Sequence, residues 1–278
     1  MTAFGGPIEG IMFDLDGTLA LSDRRLGGYL PLPGAPETLE WLTKQGIPYV
    51  IFTNGSAYLP KSQAPKLRAA GLAVLDGQLM TPSTVAAHVL PREGAKRALL
   101  LGVPESGMAL EEAGVEIVRT EDGNKEVDAV YIAWHPDCRM AEIEAAARAI
   151  WGGARLYVAS DVPYFATRAG KMPGFSAAIA AAVTRMAETE IHVVGKPSHY
   201  AFKAVEDVLG LPGSRIAVVG DDPVCEIGMA REMGGIAIAT LTGVTTAAEW
   251  EAMPEGKGPH RVLNTVADLI PLIEASRP

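Results

Sequence analysis

Short apolar runs that stop abruptly at polar residues recur along the chain. Gly10-Ile11-Met12-Phe13 stops at Asp14, and Ile47-Pro48-Tyr49-Val50-Ile51-Phe52 stops at Thr53-Asn54-Gly55. Unbroken apolar runs of this length fit strands buried on both faces, as in a parallel sheet. Between them, Ala35 to Gln45 carries Leu39, Trp41 and Leu42 at helical spacing, and Gly46 supplies a stop. The result is a β-α-β unit, followed by a helix from about Lys61 to Ala70 that Gly71 closes. The pattern returns late in the chain. Ile191–Val194, Arg215–Val219 and Ile236–Ala239 read as strands, with helices near Ala201–Leu209 and Val224–Glu232 between them. Strands alternating with helices predict an α/β fold with a doubly wound parallel sheet, whose ligand sits beyond the carboxyl ends of the strands. The residues that follow Phe13, Phe52, Val194 and Val219 are therefore the candidates for chemistry.

The middle of the chain has an alternation of its own. Strands are expected at Ala98–Leu101, Val115–Val118, Ala129–Ala133 and Leu156–Ala159, with helices at Glu105–Ala113 and Met140–Trp151. This region reads as an inserted domain, so 1–82 and 194–278 form a core and 83–193 an insert. A chain of 278 residues has room for two such cores.

Composition narrows the partners. The net charge of -9 argues against nucleic acid or an anionic membrane surface, both of which call for a cationic face. A small anion needs only a local electropositive pocket. The two cysteines, Cys138 and Cys225, form no Cys-x-x-Cys pair and imply neither a disulfide framework nor a zinc site. With no signal-like start and no apolar run long enough to span a bilayer, a cytoplasmic protein is expected.

Four strand ends carry the candidate chemistry. Asp14-Leu15-Asp16-Gly17-Thr18 places two carboxylates one residue apart, an arrangement that is costly unless a cation sits with them. Mg2+ suits such oxygen donors and leaves room for a substrate phosphate. Thr53-Asn54-Gly55-Ser56 offers hydroxyl, amide and backbone N–H groups for phosphoryl oxygens. Lys196, in Gly195-Lys196-Pro197, brings an ammonium, and Asp221, Asp222 and Glu226 form an acidic cluster after the next strand. Each motif alone reads equally well as a turn, a helix cap or a solvated charge. The joint order Asp-x-Asp, Thr-Asn, Lys, Asp-Asp-x-x-x-Glu is what carries the signal.

That order resembles the haloacid dehalogenase superfamily. Pro33-Gly34-Ala35-Pro36-Glu37-Thr38-Leu39, Phe52-Thr53-Asn54-Gly55-Ser56, Pro173-Gly174-Phe175 and Val194-Gly195-Lys196-Pro197-Ser198 are similar to its type IIA branch, the NagD-like phosphatases. The resemblance implies a Rossmann-like core with a large α/β cap domain inserted between the second and third motifs. It also implies hydrolysis of a small-molecule phosphate ester and a possible homodimer through the cap. It makes Asp14 the nucleophile, Asp16 the acid and base, and Thr53, Asn54, Gly55 and Lys196 the phosphate-binding groups. Mg2+ is then held by Asp14, Asp16 and Asp221, with Asp222 and Glu226 in support. Two departures stand out: Glu226 occupies a position where the branch usually has Asp, and Ser160-Asp161-Val162-Pro163 replaces a Thr-Asn-Pro-Asp-like turn. Cap residues Asp161, Arg168 and Lys171 are candidates to touch the leaving group, and Arg24 and Arg25 in the long connection after the first motif are weaker ones. Trp134 and His135 are expected to pack the cap or a subunit contact, and His199 to start a helix.

Three alternatives share part of this pattern. A phosphomutase or phosphotransferase would use Asp14 on the same fold, and a dehalogenase would dispense with the acidic set. A silent phosphometabolite-binding protein would be expected to have lost Asp14, Asp16 or Lys196, all of which are present. No Gly-x-x-x-x-Gly-Lys-Ser/Thr loop and no Gly-x-Ser-x-Gly elbow occurs.

Overall fold

The apolar runs become parallel strands in two separate sheets. A computed structural model describes residues 7–23, 28–123, 125–167 and 170–276. In chain order the strands are β1 (Gly10–Phe13), β2 (Ala20–Asp23), β3 (Gly28–Pro31), β4 (Tyr49–Phe52) and β5 (Leu79–Met80). Next come β6 (Arg97–Leu101), β7 (Glu116–Val118), β8 (Ala129–Ile132), β9 (Arg155–Val158), β10 (Tyr164–Thr167) and β11 (Gly170–Pro173). The last are β12 (Ile191–Val193), β13 (Ile216–Gly220), β14 (Ile236–Thr240) and β15 (Arg261–Leu263).

The first sheet runs β15-β14-β13-β1-β4-β5 and is parallel throughout. β1 lies at its centre, where the order reverses, which places Asp14 at the switch point. The second sheet, β12-β9-β8-β6-β7, is also parallel. Two antiparallel hairpins, β2-β3 and β10-β11, complete the strands. The β2-β3 hairpin occupies the stretch that the sequence presents as a long connection after the first motif.

One expectation is corrected. The run Ile191–Val194 does not join the sheet of Asp14; β12 pairs with β9 at the edge of the second sheet. A short apolar run encodes burial but not the identity of its neighbour, so the pattern alone could not choose between the sheets. The consequence is that Lys196 reaches the site from the opposite sheet. A smaller difference concerns the helix after β13, where Pro223–Gly228 is π-helical before an α-helix at Met229–Met233.

Alternation along the strands explains how the two sheets are joined. Ile11 and Phe13 of β1 face one core with Leu39, Leu42, Leu269 and Ile273. Met12 faces the other way, into a core that also contains Val50, Phe52, Val218, Phe202 and Val205. The same core continues without a break through Val85 and Leu90 of helix Pro82–Arg92 to Leu100, Tyr131 and Tyr157 of the second sheet. The outer face of that sheet packs Leu99, Ile132 and Val158 against Ile143, Ile179 and Val183 of helices Met140–Trp151 and Phe175–Met186. At about 1.5–3 kcal/mol for each large apolar side chain fully buried, the shared core strongly opposes separation of the sheets.

Polar groups fix the junction further. Tyr131 Oη and Ser83 Oγ lie 3.0 Å apart. Glu93 accepts from Tyr157 Oη at 2.5 Å and from Tyr200 Oη at 2.7 Å, joining β9 to the helix His199–Leu209.

Gly195 marks the closest approach where the chain leaves β12. A Cβ there would lie 2.1 Å from the Ala159 carbonyl oxygen and 2.7 Å from Asn54 Oδ1. Since backbone on one side cannot yield, Gly195→Ala is expected to cost about 1–3 kcal/mol. A lower urea midpoint checks this, and an unchanged midpoint would contradict the packing described.

Candidate active site

β1, β4 and β13 deliver Asp14, Thr53 and Asp221 to one edge of the first sheet, and the turn after β12 brings Lys196 to meet them. All four are buried, as is Glu226. Their side chains line a single cleft together with Asp16, Asn54 and Gly55.

Lys196 is the centre of the arrangement. Its Nζ lies 2.5 Å from Asp14 Oδ1 and 2.8 Å from Glu226 Oε1, with the Phe52 ring 5.6 Å away. Burial of an ammonium draws its pKa down, but here the Asp14 and Glu226 carboxylates prevail and raise it, so Lys196 stays charged. The main chain of Lys196 is held as firmly as its head. Asn54 Oδ1 accepts from the Lys196 N–H at 2.8 Å, and Asn54 Nδ2 donates to the Lys196 carbonyl at 2.7 Å. The Asn54 side chain is thereby committed to the lysine, and what Asn54 retains for an anion is its backbone. Thr53 Oγ1 accepts from the Gly55 N–H at 3.1 Å, which shapes the loop after β4.

Glu226 turns back through the π-helical segment to reach the lysine. Its other oxygen, Oε2, accepts from the Asp222 N–H at 3.2 Å. Asp222 itself caps that segment, accepting from the Val224 and Cys225 N–H groups at 2.8 Å each.

Asp16 departs from β1 in a different direction. Its Oδ1 accepts from the Ser22 N–H at 3.0 Å, so the β2-β3 hairpin holds this carboxyl at the mouth of the cleft. Burial raises the Asp16 pKa; the Ser22 bond opposes the rise and the Asp14 charge adds to it. A carboxyl in this setting retains its proton at higher pH than a free one.

Asp221 fits against backbone that has no side chain to exclude it. A Cβ on Gly17 would lie 2.5 Å from Asp221 Oδ2, and one on Gly243 would lie 1.8 Å from it. Gly17 also has φ +97°, which other L-residues rarely adopt. The Val244 N–H donates to Asp221 Oδ2 at 2.8 Å, and Thr245 Oγ1 donates to its carbonyl at 2.7 Å. Burial and the nearby Asp14 push the Asp221 pKa up to about 7, and burial likewise raises that of Glu226, with Lys196 opposing.

Among the described residues, five acidic residues, Asp14, Asp16, Asp221, Asp222 and Glu226, thus line the cleft with one ammonium, and Asp14 Oδ2 is buried without a hydrogen-bond partner. An unsatisfied buried carboxylate oxygen costs several kcal/mol in order of magnitude unless a further cation takes it. The donor set of oxygens with excess negative charge fits a hard divalent cation such as Mg2+.

Across the cleft stand residues that follow the strands of the second sheet, Trp134, Ser160 and Val162, with Tyr164 of the β10-β11 hairpin and Phe175 at the start of its helix. Trp134 and Phe175 pack with ring centroids 6.2 Å apart, and the main-chain N–H of Trp134 donates to Ser56 Oγ at 2.9 Å. Trp134 therefore lines the cleft, where its position at a strand end was the only available signal and packing was expected. Asp161 is exposed and lies outside the cleft lining, whereas its neighbours Ser160 and Val162 line it. Arg168, Arg24, Arg25 and the Lys171 side chain lie outside the described residues. His199 is exposed in the first turn of its helix, capped by Ser198, whose Oγ accepts from the Ala201 N–H at 3.0 Å. No helix among the described residues is long and apolar enough to cross a membrane.

Comparison with known proteins agrees with this geometry. A family model described as haloacid dehalogenase-like hydrolase matches residues 11–116, and a second, HAD-hydrolase-like, matches 193–269. The two segments together contain all four motifs. Mouse chronophin is 27% identical over 97% of this chain and 94% of its own length. The dihydroxyacetone phosphatase of Corynebacterium glutamicum is 26% identical over 92% of this chain and 88% of its own. Among solved structures, the p-nitrophenyl phosphatase of Archaeoglobus fulgidus superposes with a TM-score of 0.82, covering 97% of this chain and 99% of the other at 25% identity. With Asp14 at the switch point, Lys196 against it and these full-length likenesses, the chain belongs to the haloacid dehalogenase-like hydrolases, in their phosphatase branch.

Proposed function

We propose that the chain is a Mg2+-dependent phosphatase of small phosphate monoesters, with Asp14 as the nucleophile of a covalent aspartyl-phosphate. The observation that carries this reading is the state of Asp14 itself. One carboxylate oxygen is fixed by Lys196 and the other is unpartnered, at the carboxyl end of the central strand.

The steps follow from what surrounds it. The substrate phosphate is received by Lys196, Thr53 and the backbone after β4, which offset its charge beside Asp14. Asp14 forms the new P–O bond while the bond to the leaving oxygen breaks. Asp16, whose pKa is raised by burial and by the Asp14 charge, gives its proton to that oxygen. Asp16 then takes a proton from water, which attacks the aspartyl-phosphate, releases inorganic phosphate and regenerates Asp14. Asp14, the Asp16 main chain and Asp221 are the groups to hold Mg2+, with Asp222 and Glu226 in support through the π-helical turn. When bound, Mg2+ supplies positive charge that counters repulsion between the carboxylates and the phosphoryl oxygens.

The leaving group lies toward Trp134, Phe175 and Tyr164, so these residues of the insert, spanning about residues 83–193, would govern substrate choice. The relatives' names, dihydroxyacetone phosphatase and p-nitrophenyl phosphatase, support a small ester.

Asp14→Asn is expected to reduce p-nitrophenyl phosphate hydrolysis by at least about 10³-fold with the circular dichroism spectrum unchanged. Near-normal turnover would remove Asp14 from the role of nucleophile. Chelation by EDTA is expected to silence the enzyme and Mg2+ to restore it, and full activity in chelator would exclude the metal.

Stability gives a second readout. The Asp221 pKa rises on folding from 3.8 to about 7, so the folded, metal-free chain keeps a proton that the unfolded chain releases. Its contribution to stability is therefore full below pH 3.8 and is lost as the pH rises through about 7. Mg2+ favours the ionised carboxylate, so the Tm gain on adding Mg2+ should be larger at about pH 8 than at about pH 5. An equal gain at both would contradict Asp221 as a ligand.

A further inference from the structure

A second group of donors lies in the insert, in the turn between β8 and the helix Met140–Trp151. It is made by His135, Cys138 and Glu142, each half-buried. One donor atom from each, an imidazole nitrogen, a thiol sulfur and a carboxylate oxygen, lies within 4.8 Å of the others. None of the three takes part in the phosphatase reading.

The turn is folded so that these groups converge. His135 Nε2 and Glu142 Oε1 are 2.7 Å apart, while Glu142 Oε2 accepts from the Arg139 N–H at 2.8 Å and fixes the first turn of the helix. This leaves two donors without adequate use. His135 Nδ1 is buried and has no hydrogen-bond partner. Cys138 packs at the margin of the outer core of the second sheet, and its Sγ has a 3.9 Å contact with the carbonyl of its own neighbour, Arg139. A nitrogen, sulfur and oxygen set is the donor chemistry of a borderline-soft divalent cation, unlike the oxygen cluster at Asp14.

We propose that His135, Cys138 and Glu142 bind a transition-metal dication of the Zn2+ class, with solvent completing the shell. Bonds of about 2.0–2.3 Å around a tetrahedral ion place donors roughly 3.3–3.7 Å apart, a spacing that falls within the 4.8 Å spread of this set. Without the ion, burial and Glu142 push the Cys138 thiol up to about 11. A cation placed between thiol and carboxylate reverses that interaction, and the thiol proton passes to solvent on binding. The site fastens the turn immediately after Trp134, which lines the active-site cleft. Occupancy therefore bears on the wall that faces the leaving group, not on the reacting groups.

Co2+ titration of the chelator-stripped full-length protein, with excess Mg2+ present throughout, tests the site without reference to phosphatase activity. The expected result is a near-ultraviolet thiolate-to-cobalt absorption that saturates at a single equivalent and is abolished by Zn2+. It should vanish in Cys138→Ser, persist in Cys225→Ser, and require about tenfold or more cobalt in Glu142→Gln. Circular dichroism of each variant confirms that it is folded. No such absorption from the folded unmodified protein, or an absorption that survives Cys138→Ser, overturns the proposal.

Discussion

The buried ammonium of Lys196 lies between two carboxylates, Asp14 and Glu226, that come from different parts of the chain, and much of the remaining structure serves to hold it there. Taking an unpaired ammonium out of water costs several kcal/mol even after relaxation, so the lysine cannot occupy this position without both partners in place. Those partners in turn carry more negative charge than one lysine can neutralise. Asp221 adds to the excess when ionised, and the unpartnered Asp14 Oδ2 shows where the deficit is concentrated. In the proposed reaction such a site would favour a divalent cation and a phosphoryl group together over either alone, because each offsets part of the charge that the other brings.

Since Lys196 leaves the second sheet while Asp14 leaves the first, the site exists only while the two sheets keep their relation. The continuous core from Met12 through Leu90 to Tyr157 supplies the coarse constraint. The Asn54 clamp on the Lys196 main chain supplies the fine one, since two hydrogen bonds fix the position of the lysine along its own backbone. At about 0.5–1.5 kcal/mol each these bonds matter less for global stability than for placing one atom. The glycines follow the same logic. Gly195 lets the chains touch, and Gly17 and Gly243 leave room for the Asp221 carboxylate.

Much of this was legible in the sequence, for identifiable reasons. Parallel strands buried on both faces announce themselves as unbroken apolar runs, so β1, β4, β13 and β14, and the acids that follow β1 and β13, are located directly. The membership of β12 could not, because burial is recorded in a residue's type and pairing is not. Ser22 was hidden because it positions Asp16 through a backbone N–H, which every residue but proline possesses. Asn54 was noticed as a phosphate-loop residue, but its side chain serves the lysine 142 positions away, a contact that only the fold creates. Trp134 was seen as a strand-end aromatic and turned out to line the cleft, since the course of the turn that carries it depends on the hydrogen bond from its main-chain N–H to Ser56.

The proposed reaction turns on a covalent bond to Asp14. Rapid acid quench of the enzyme during turnover of a phosphate ester, followed by peptide mass spectrometry, observes that bond most directly. A phosphoryl adduct on Asp14 that disappears when substrate is exhausted is the expected result. A phosphoryl group trapped on another residue, or the complete absence of an adduct with phosphate release proceeding in a single step, would contradict it.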